Sequence, residues 1–197
     1  MNNETRSDGD GDGDGEDATG AGEHDDGGFD GHGAAPGGGR DGSLRFAWAI
    51  ATWFGCGKVP KAPGTMGTLG AIPLYLLVSR GGQVAVAATA LVVTAVGIWA
   101  ADVVARDLGK KDPQVVVVDE VAGLLVTMLP MRPMADISWR AIVVGFLLFR
   151  LFDVTKPWPV RGFEKLRGGW GIVMDDVFAG IYGACVIVGL RAVGALP

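Results

Sequence analysis

Five apolar runs follow residue 60, and they limit the possible folds more than any other feature. They are TLGAIPLYLLVS (68–79), QVAVAATALVVTAVGIWAADVV (83–104), VVVVDEVAGLLVTMLPM (115–131), ISWRAIVVGFLLFRLFDV (137–154) and residues 176–195. A helix needs about 20 mainly apolar residues, within a range of about 17–25, to cross a bilayer. The second and fifth runs meet this cleanly. The third and fourth meet it by length but carry charges. The first is short and reads either as re-entrant or as extending back toward Met66. Residues 44–57 (LRFAWAIATWFGCG) read as a short interfacial helix with Trp48 and Trp53 at headgroup level. The alternative is a soluble helical core, in which the VVVV run at 115–118 could be a buried strand. So many apolar runs in 197 residues leave little polar surface to cover a globule. The expected fold class is therefore all-α, a multi-pass helical membrane protein.

The averages hide a split. Residues 1–43 hold 12 of the 22 acidic residues, two of the 17 basic residues and 14 of the 33 glycines. The acidic pI of about 4.9 belongs to this segment, and the remainder is net basic. A Gly/Asp-rich stretch with so few apolar side chains cannot bury enough surface to offset chain entropy. Residues 1–43 are expected to be a disordered acidic N-terminal tail, and residues 44–197 the helical domain. The tail lacks a basic n-region and an apolar h-region, so it does not read as a signal peptide. Asp8, Asp10, Asp12 and Gly13 resemble the start of an EF-hand loop, but Thr19 stands where its Glu is needed.

Both histidines, His24 and His32, lie in the tail. Histidine nucleophiles, general bases and metal ligands are thus excluded from residues 44–197. Cys56 and Cys185 sit in apolar surroundings and do not form a disulfide framework. CVIVGLR (185–191) matches the C-x5-R pattern of cysteine phosphatases, but its apolar spacer cannot form a phosphate loop.

The connecting loops suggest an orientation. KVPK (58–61), RDLGKKDP (106–113) and KPWPVRGFEKLRGG (156–169) are basic, and RGGQ (80–83) and MRPMADIS (131–138) less so. Basic loops stay cytoplasmic, so 58–67, 105–114 and 155–174 are expected inside, with 80–83 and 131–136 outside. On that topology Asp119, Glu120, Asp153, Asp175 and Asp176 all fall at the cytoplasmic ends of spans. Thr65 and Thr68 sit at the entrance to the first. Asp102 closes the second span, where it can pair with Arg106 one turn on, and Asp175 or Asp176 could be an N-cap.

Ionisable residues within spans cost several kcal/mol and mark functional sites. Five carboxylates at one depth repel unless a cation sits among them. All available ligands are oxygens, which suit a hard cation such as Mg2+, Mn2+ or Ca2+. Mg2+ commonly combines a few carboxylates with substrate phosphate oxygens. Arg150 and Lys156 supply complementary charge: Arg150, Asp153 and Lys156 share one helix face. Pro157 ends that helix and frees Lys156, which is pushed toward extended geometry. GGWGIVMDD (168–176) reads as a flexible approach whose backbone N–H groups can receive an anion.

Four blocks carry a family resemblance: PGTMGTLGAIP (63–73), DPQVVVVDEVAG (112–123), FRLFDVTKPWP (149–159) and GGWGIVMDDVFAG (168–180). Together, in this order, they resemble the bacterial phosphatidylglycerophosphatase A family. The resemblance implies a Mg2+-dependent lipid phosphatase of the bacterial inner membrane, with its active site facing the cytoplasm. Its substrate would be phosphatidylglycerophosphate in the bilayer and its product phosphatidylglycerol, with membrane lipids as its surroundings and no nucleic acid partner. No oligomeric state follows from these residues. Asp119, Glu120, Asp153 and Asp175 or Asp176 would hold the metal. Arg150 and Lys156 would neutralise the phosphate, Thr65 and Thr68 would donate hydrogen bonds to it, and one carboxylate would act as base or nucleophile. A CDP-alcohol phosphatidyltransferase would need a spaced aspartate run that is absent here. A solute carrier and a structural membrane subunit are the other classes considered.

Overall fold

The computed structural model describes residues 38–131, 138–158, 160, 162 and 166–196. Residues 1–37, most of the expected tail, lie outside them. Six α-helices make up the described fold, and no strand occurs among these residues. They are α1 (Gly38–Ala51), α2 (Pro63–Val78), α3 (Gly82–Leu108), α4 (Val118–Thr127), α5 (Trp139–Thr155) and α6 (Gly169–Ala192). All lie in one compact unit, Pro36–Pro197. The first helix begins at Gly38, inside the segment assigned to the tail.

The helix limits follow from local chemistry. Proline at the first position opens α2, where its missing N–H is not needed. A short 3-10 turn (Ser79–Gly81) and Gly82, at φ +81°, reverse the chain into α3. Gly109, at φ +61°, ends α3 in the left-handed conformation that glycine adopts without a Cβ penalty. Ser138 caps α5 by accepting a hydrogen bond from the Ala141 N–H at 3.2 Å. Lys156 ends α5 before Pro157, but in the left-handed region (φ +41°) rather than the expected extended one.

Contacts along the helices fix their directions. Glutamine 83, at the start of α3, reaches the Leu129 and Met131 carbonyls beyond the end of α4. Gly97, later in α3, faces Val118 at the start of α4. So α3 runs opposite to α4. Gly145 faces Met128 and Arg150 faces Glu120, so α5 is also opposed to α4. Gly180 meets Gly123, Gly183 meets Thr127, and Arg191 donates to the Pro130 carbonyl, so α6 runs parallel to α4. The starts of α2, α4 and α6 therefore gather at one end with the ends of α3 and α5.

Two expectations about the spans are corrected. The run 115–131 is not one spanning helix. Its helical part, α4, has 10 residues, and at 1.5 Å per residue rises about 15 Å, half of a bilayer core. Nor is the valine run a strand. Val117 donates its N–H to the Ala51 carbonyl at 2.8 Å, a link to α1 rather than to a strand. The segment is held close by Gly57 and Gly67, where a Cβ would strike Val115 and Val117. The second correction concerns α6, which starts at Gly169 rather than near residue 176. Asp175 and Asp176 are thus nearly two turns inside a helix, not N-caps, and GWGIVM (169–174) is helical rather than a flexible approach.

Nearly all of α4 is buried, and it forms the axis of the bundle. Its seam with α6 is built on glycine, which lets the backbones approach closely. A Cβ on Gly123 would lie 2.7 Å from the Asp176 carbonyl, and the Thr127 hydroxyl donates to the carbonyls of Gly123 and Gly180 at 3.0 and 3.3 Å. The outer surface is apolar: Leu77, Val84, Leu91, Val92, Leu147, Leu151 and Val188 are all exposed. Two helical stretches, Pro63–Leu108 and Gly169–Ala192, are long and apolar enough to cross a membrane.

Candidate active site

The polar end of the bundle holds a cavity of about 570 Å³. Four elements build it. The first turn of α4 carries Asp119 and Glu120, where the helix dipole favours negative charge. The last turns of α5 bring Arg150 and Asp153, and its C-cap brings Lys156. Helix α6 contributes Asp175 and Asp176, and the start of α2 supplies Pro63 and Gly64. Gly64 must be small, because a Cβ there would run into the Glu120 carboxylate and lie 3.2 Å from Arg150. Ala62 and Lys156, both in the wall, hold the left-handed conformation that costs a non-glycine residue energy and often marks functional sites.

The charges divide into two groups. Arg150 donates to Asp153 at 2.5 Å and stands 3.9 Å from Glu120. Lys156 donates to Asp175 at 2.6 Å, and the other oxygen of Asp175 accepts the Asp176 N–H at 3.1 Å. Each cation is thus already matched with one carboxylate. Asp119, Glu120 and Asp176 form the second group, with one oxygen from each lying within 4.8 Å of the others. Asp119 Oδ1 and Glu120 Oε2 are buried with no hydrogen-bond partner among the described residues. A buried carboxylate oxygen without a donor costs several kcal/mol. Three carboxylates this close, two of them with orphaned oxygens, fit a hard divalent cation, whose charge would offset their repulsion and whose coordination would use those oxygens.

The expected catalytic and metal residues Asp119, Glu120, Asp153, Lys156, Asp175 and Asp176 all line this cavity, as does Arg150. Thr65 and Thr68 do not. Thr68 is fully buried, and its hydroxyl donates to the Gly64 carbonyl at 2.9 Å within its own helix. Asp102 pairs with Arg106 at 2.5 Å, away from the carboxylate triad. Sequence reasoning missed Asp112, Gln114 and Gly64, which also line the cavity. Asp112 and Gln114 are polar residues directly before the VVVV run. That position, on the loop leading into an acid-bearing helix, was the available signal. Both cysteines are free; Cys56 is half-buried and Cys185 exposed.

The fold and this cavity define an all-helical protein with a buried carboxylate centre walled by one arginine and one lysine. Residues 49–191 match the family model of phosphatidylglycerophosphatase A, a span that includes every residue of the cavity. The chain belongs to that family. It is 34% identical over 139 residues to phosphatidylglycerophosphatase A of Escherichia coli K12, covering 70% of this chain and 79% of that protein. The Haemophilus influenzae phosphatidylglycerophosphatase A is 35% identical over 145 residues, covering 72% and 86%. A Bacteroides thetaiotaomicron protein, provisionally named a phosphatidylinositol-3-phosphatase, is 41% identical over 147 residues, covering 72% and 91%. No solved structure matches the chain.

Proposed function

We propose that the chain hydrolyses the terminal phosphate monoester of phosphatidylglycerophosphate to give phosphatidylglycerol, with Mg2+ as cofactor. The observation that carries this reading is the set of three mutually close carboxylates, two with orphaned oxygens, in a cavity that falls wholly within the family match. Asp119, Glu120 and Asp176 would hold the cation. When bound, it would polarise a phosphate oxygen and lower the pKa of a water. Arg150 and Lys156 turn from Asp153 and Asp175 to the phosphate oxygens and neutralise charge that grows in the transition state. Asp153 takes the proton of the attacking water. The new bond forms between that water oxygen and phosphorus, the bond from phosphorus to the glycerol oxygen breaks, and the glycerol oxygen leaves with the proton from Asp153. Asp175 keeps Lys156 in place between turnovers. Thr68 acts on α2 packing rather than on phosphate.

The protein is a multi-pass protein of the bacterial inner membrane, and the polar end faces the cytoplasm. Three features support this: the exposed apolar flanks, the two long apolar stretches and the basic loops beside the cavity. The residues ahead of α1, which begins at Gly38, form the acidic tail, and the helical domain takes in residues 38–43. The acyl chains of the substrate stay in lipid while its headgroup reaches the cavity, which explains why a polar cluster lies at one end of an apolar bundle.

Purified protein in detergent is expected to release inorganic phosphate from phosphatidylglycerophosphate in Mg2+. Release should stop on chelation and return with added Mg2+. Faster release from phosphatidylinositol 3-phosphate would instead give this chain the activity in the Bacteroides relative's name. Phosphate release that EDTA leaves intact would remove the metal from the mechanism.

A further inference from the structure

Two more cavities and an apolar groove lie on the described bundle, and the narrower cavity shares walls with the acidic centre. A basic cavity of about 540 Å³ is lined by Asp102, Arg106, Lys110, Lys111, Arg167 and Trp170. Four cations face one carboxylate there, and that carboxylate is already paired with Arg106. Its floor is tight: a Cβ on Gly168 or Gly169 would run into Asp102 or the Ile98 carbonyl, so the first turn of α6 lies directly on α3. Gly168, Gly169 and Trp170 of that turn line the cavity, so the positive end of the helix dipole lies beside the four cations.

On one side this cavity continues into an apolar groove of about 550 Å³ between α3, α4 and α6, lined by residues such as Leu91, Val126, Met174 and Val177. Ile98 and Trp170 line both. On the other side a narrow cavity of about 180 Å³ shares Lys111 and Gly168 with the basic cavity, and Asp112, Ile172 and Asp175 with the acidic centre. Apolar groove, basic cavity, narrow passage and carboxylate centre therefore follow one another, each sharing wall residues with the next.

We propose that this series is the binding path of one diacyl phospholipid. An acyl chain lies in the α3–α4–α6 groove, the phosphodiester rests on Lys111, Arg167 and Arg106, and the terminal monoester reaches the carboxylate centre. The sequence of chemistries matches that molecule in order: apolar, singly anionic, then metal-demanding. Gly169 and Asp175 are six residues apart on α6, about 9 Å along the axis, within reach of a phosphate–glycerol–phosphate unit. Trp170 stands where the apolar and basic parts meet, the usual depth of interfacial tryptophan. The basic cavity thereby distinguishes a lipid with an internal phosphodiester from a simple phosphate monoester. This assignment rests on the lipid-phosphatase reading above.

The test compares kcat/KM on phosphatidylglycerophosphate with that on a water-soluble glycerol phosphate, using Lys111→Gln/Arg167→Gln and Ala95→Phe. Ala95 lies exposed in the groove wall. The ratio of the two values is expected to fall about tenfold in each variant, through KM of the lipid substrate. An unchanged ratio overturns the path. So does an effect confined to activation by added phosphatidylglycerol, which would make the cavity a site for a second lipid. An independent readout uses metal-free protein and phosphatidylglycerol with brominated chains. Tryptophan quenching that weakens in Trp170→Phe supports the groove. If quenching is retained while no monoester is hydrolysed by the wild type, the groove stands and the phosphatase reading fails. No quenching alongside normal hydrolysis overturns the groove alone.

Discussion

Asp176→Asn is expected to lower phosphate release by about a thousand-fold or more, while the protein folds as well as the wild type. Asp176 is buried on α6 and faces Asp119 and Glu120 across the α4–α6 seam, with their oxygens within 4.8 Å. The amide keeps the shape of the side chain but removes one of three negative charges from the proposed metal site. Loss of a charge that supports a metal-stabilised transition state is worth several kcal/mol, and each 1.36 kcal/mol is a factor of ten. Stability should move the other way in metal-free protein. The substitution relieves repulsion among three close carboxylates, and the new amide N–H can donate to an orphaned oxygen of Asp119 or Glu120. The comparison is Asp107→Asn. Asp107 is exposed and accepts a hydrogen bond from the Trp48 indole at 2.9 Å, outside the cavity, so its activity should stay near wild type. Thermal unfolding and phosphate release on the same samples check both parts. Wild-type turnover in Asp176→Asn would remove this residue from the site.

The second large effect is on the fold. Gly123→Ala is expected to destabilise the protein by about 2–3 kcal/mol, the upper part of the overpacking range. The added methyl would lie 2.7 Å from the Asp176 carbonyl and collide with the Phe149 ring. One obstacle is backbone and the other is a fully buried ring, so neither can rotate away. Relief requires α4 and α6 to separate. These helices carry Asp119–Glu120 and Asp176, so the separation should also lower activity. Gly189→Ala, on the same helix α6 with open space around its Cβ, should instead be neutral or stabilise by up to about 1 kcal/mol. Thermal denaturation in detergent reads both variants. Equal midpoints for the two would mean that the glycine seam does not limit helix approach.

The polar end of the bundle was legible because charge interrupts apolar runs at fixed places. Arg150 and Asp153 are three residues apart on one helix, which is enough to anticipate their contact. Pro157 after Lys156 marks the helix end. The length of α4 was not legible. Hydropathy counts Val115–Val117 and Met128–Met131 as span, whereas the first stretch is non-helical and packs under Gly57 and Gly67, and the second is a turn. The depth of Asp175 and Asp176 was hidden for a related reason. Glycines 169 and 171 read as loop, yet they are buried in helix α6, and Gly169 sits against the Ile98 carbonyl. Composition cannot tell a flexible glycine from one that is small because a neighbouring backbone is close. The pairing of Lys156 with Asp175 joins residues from separate helices, and no local spacing announces it. The hydroxyl of Thr68 is turned to a carbonyl of its own helix, an option open to any helical threonine.

The central claim is that the Asp119–Glu120–Asp176 triad holds a divalent cation that hydrolysis requires. Its most direct test titrates Mn2+ into metal-free wild-type protein, following bound metal by electron paramagnetic resonance and phosphate release from phosphatidylglycerophosphate in the same sample. Activity should rise in proportion to the occupancy of a site that is absent in Asp176→Asn. Undiminished hydrolysis by metal-free wild-type protein, or a site that fills equally in Asp176→Asn, would contradict the account.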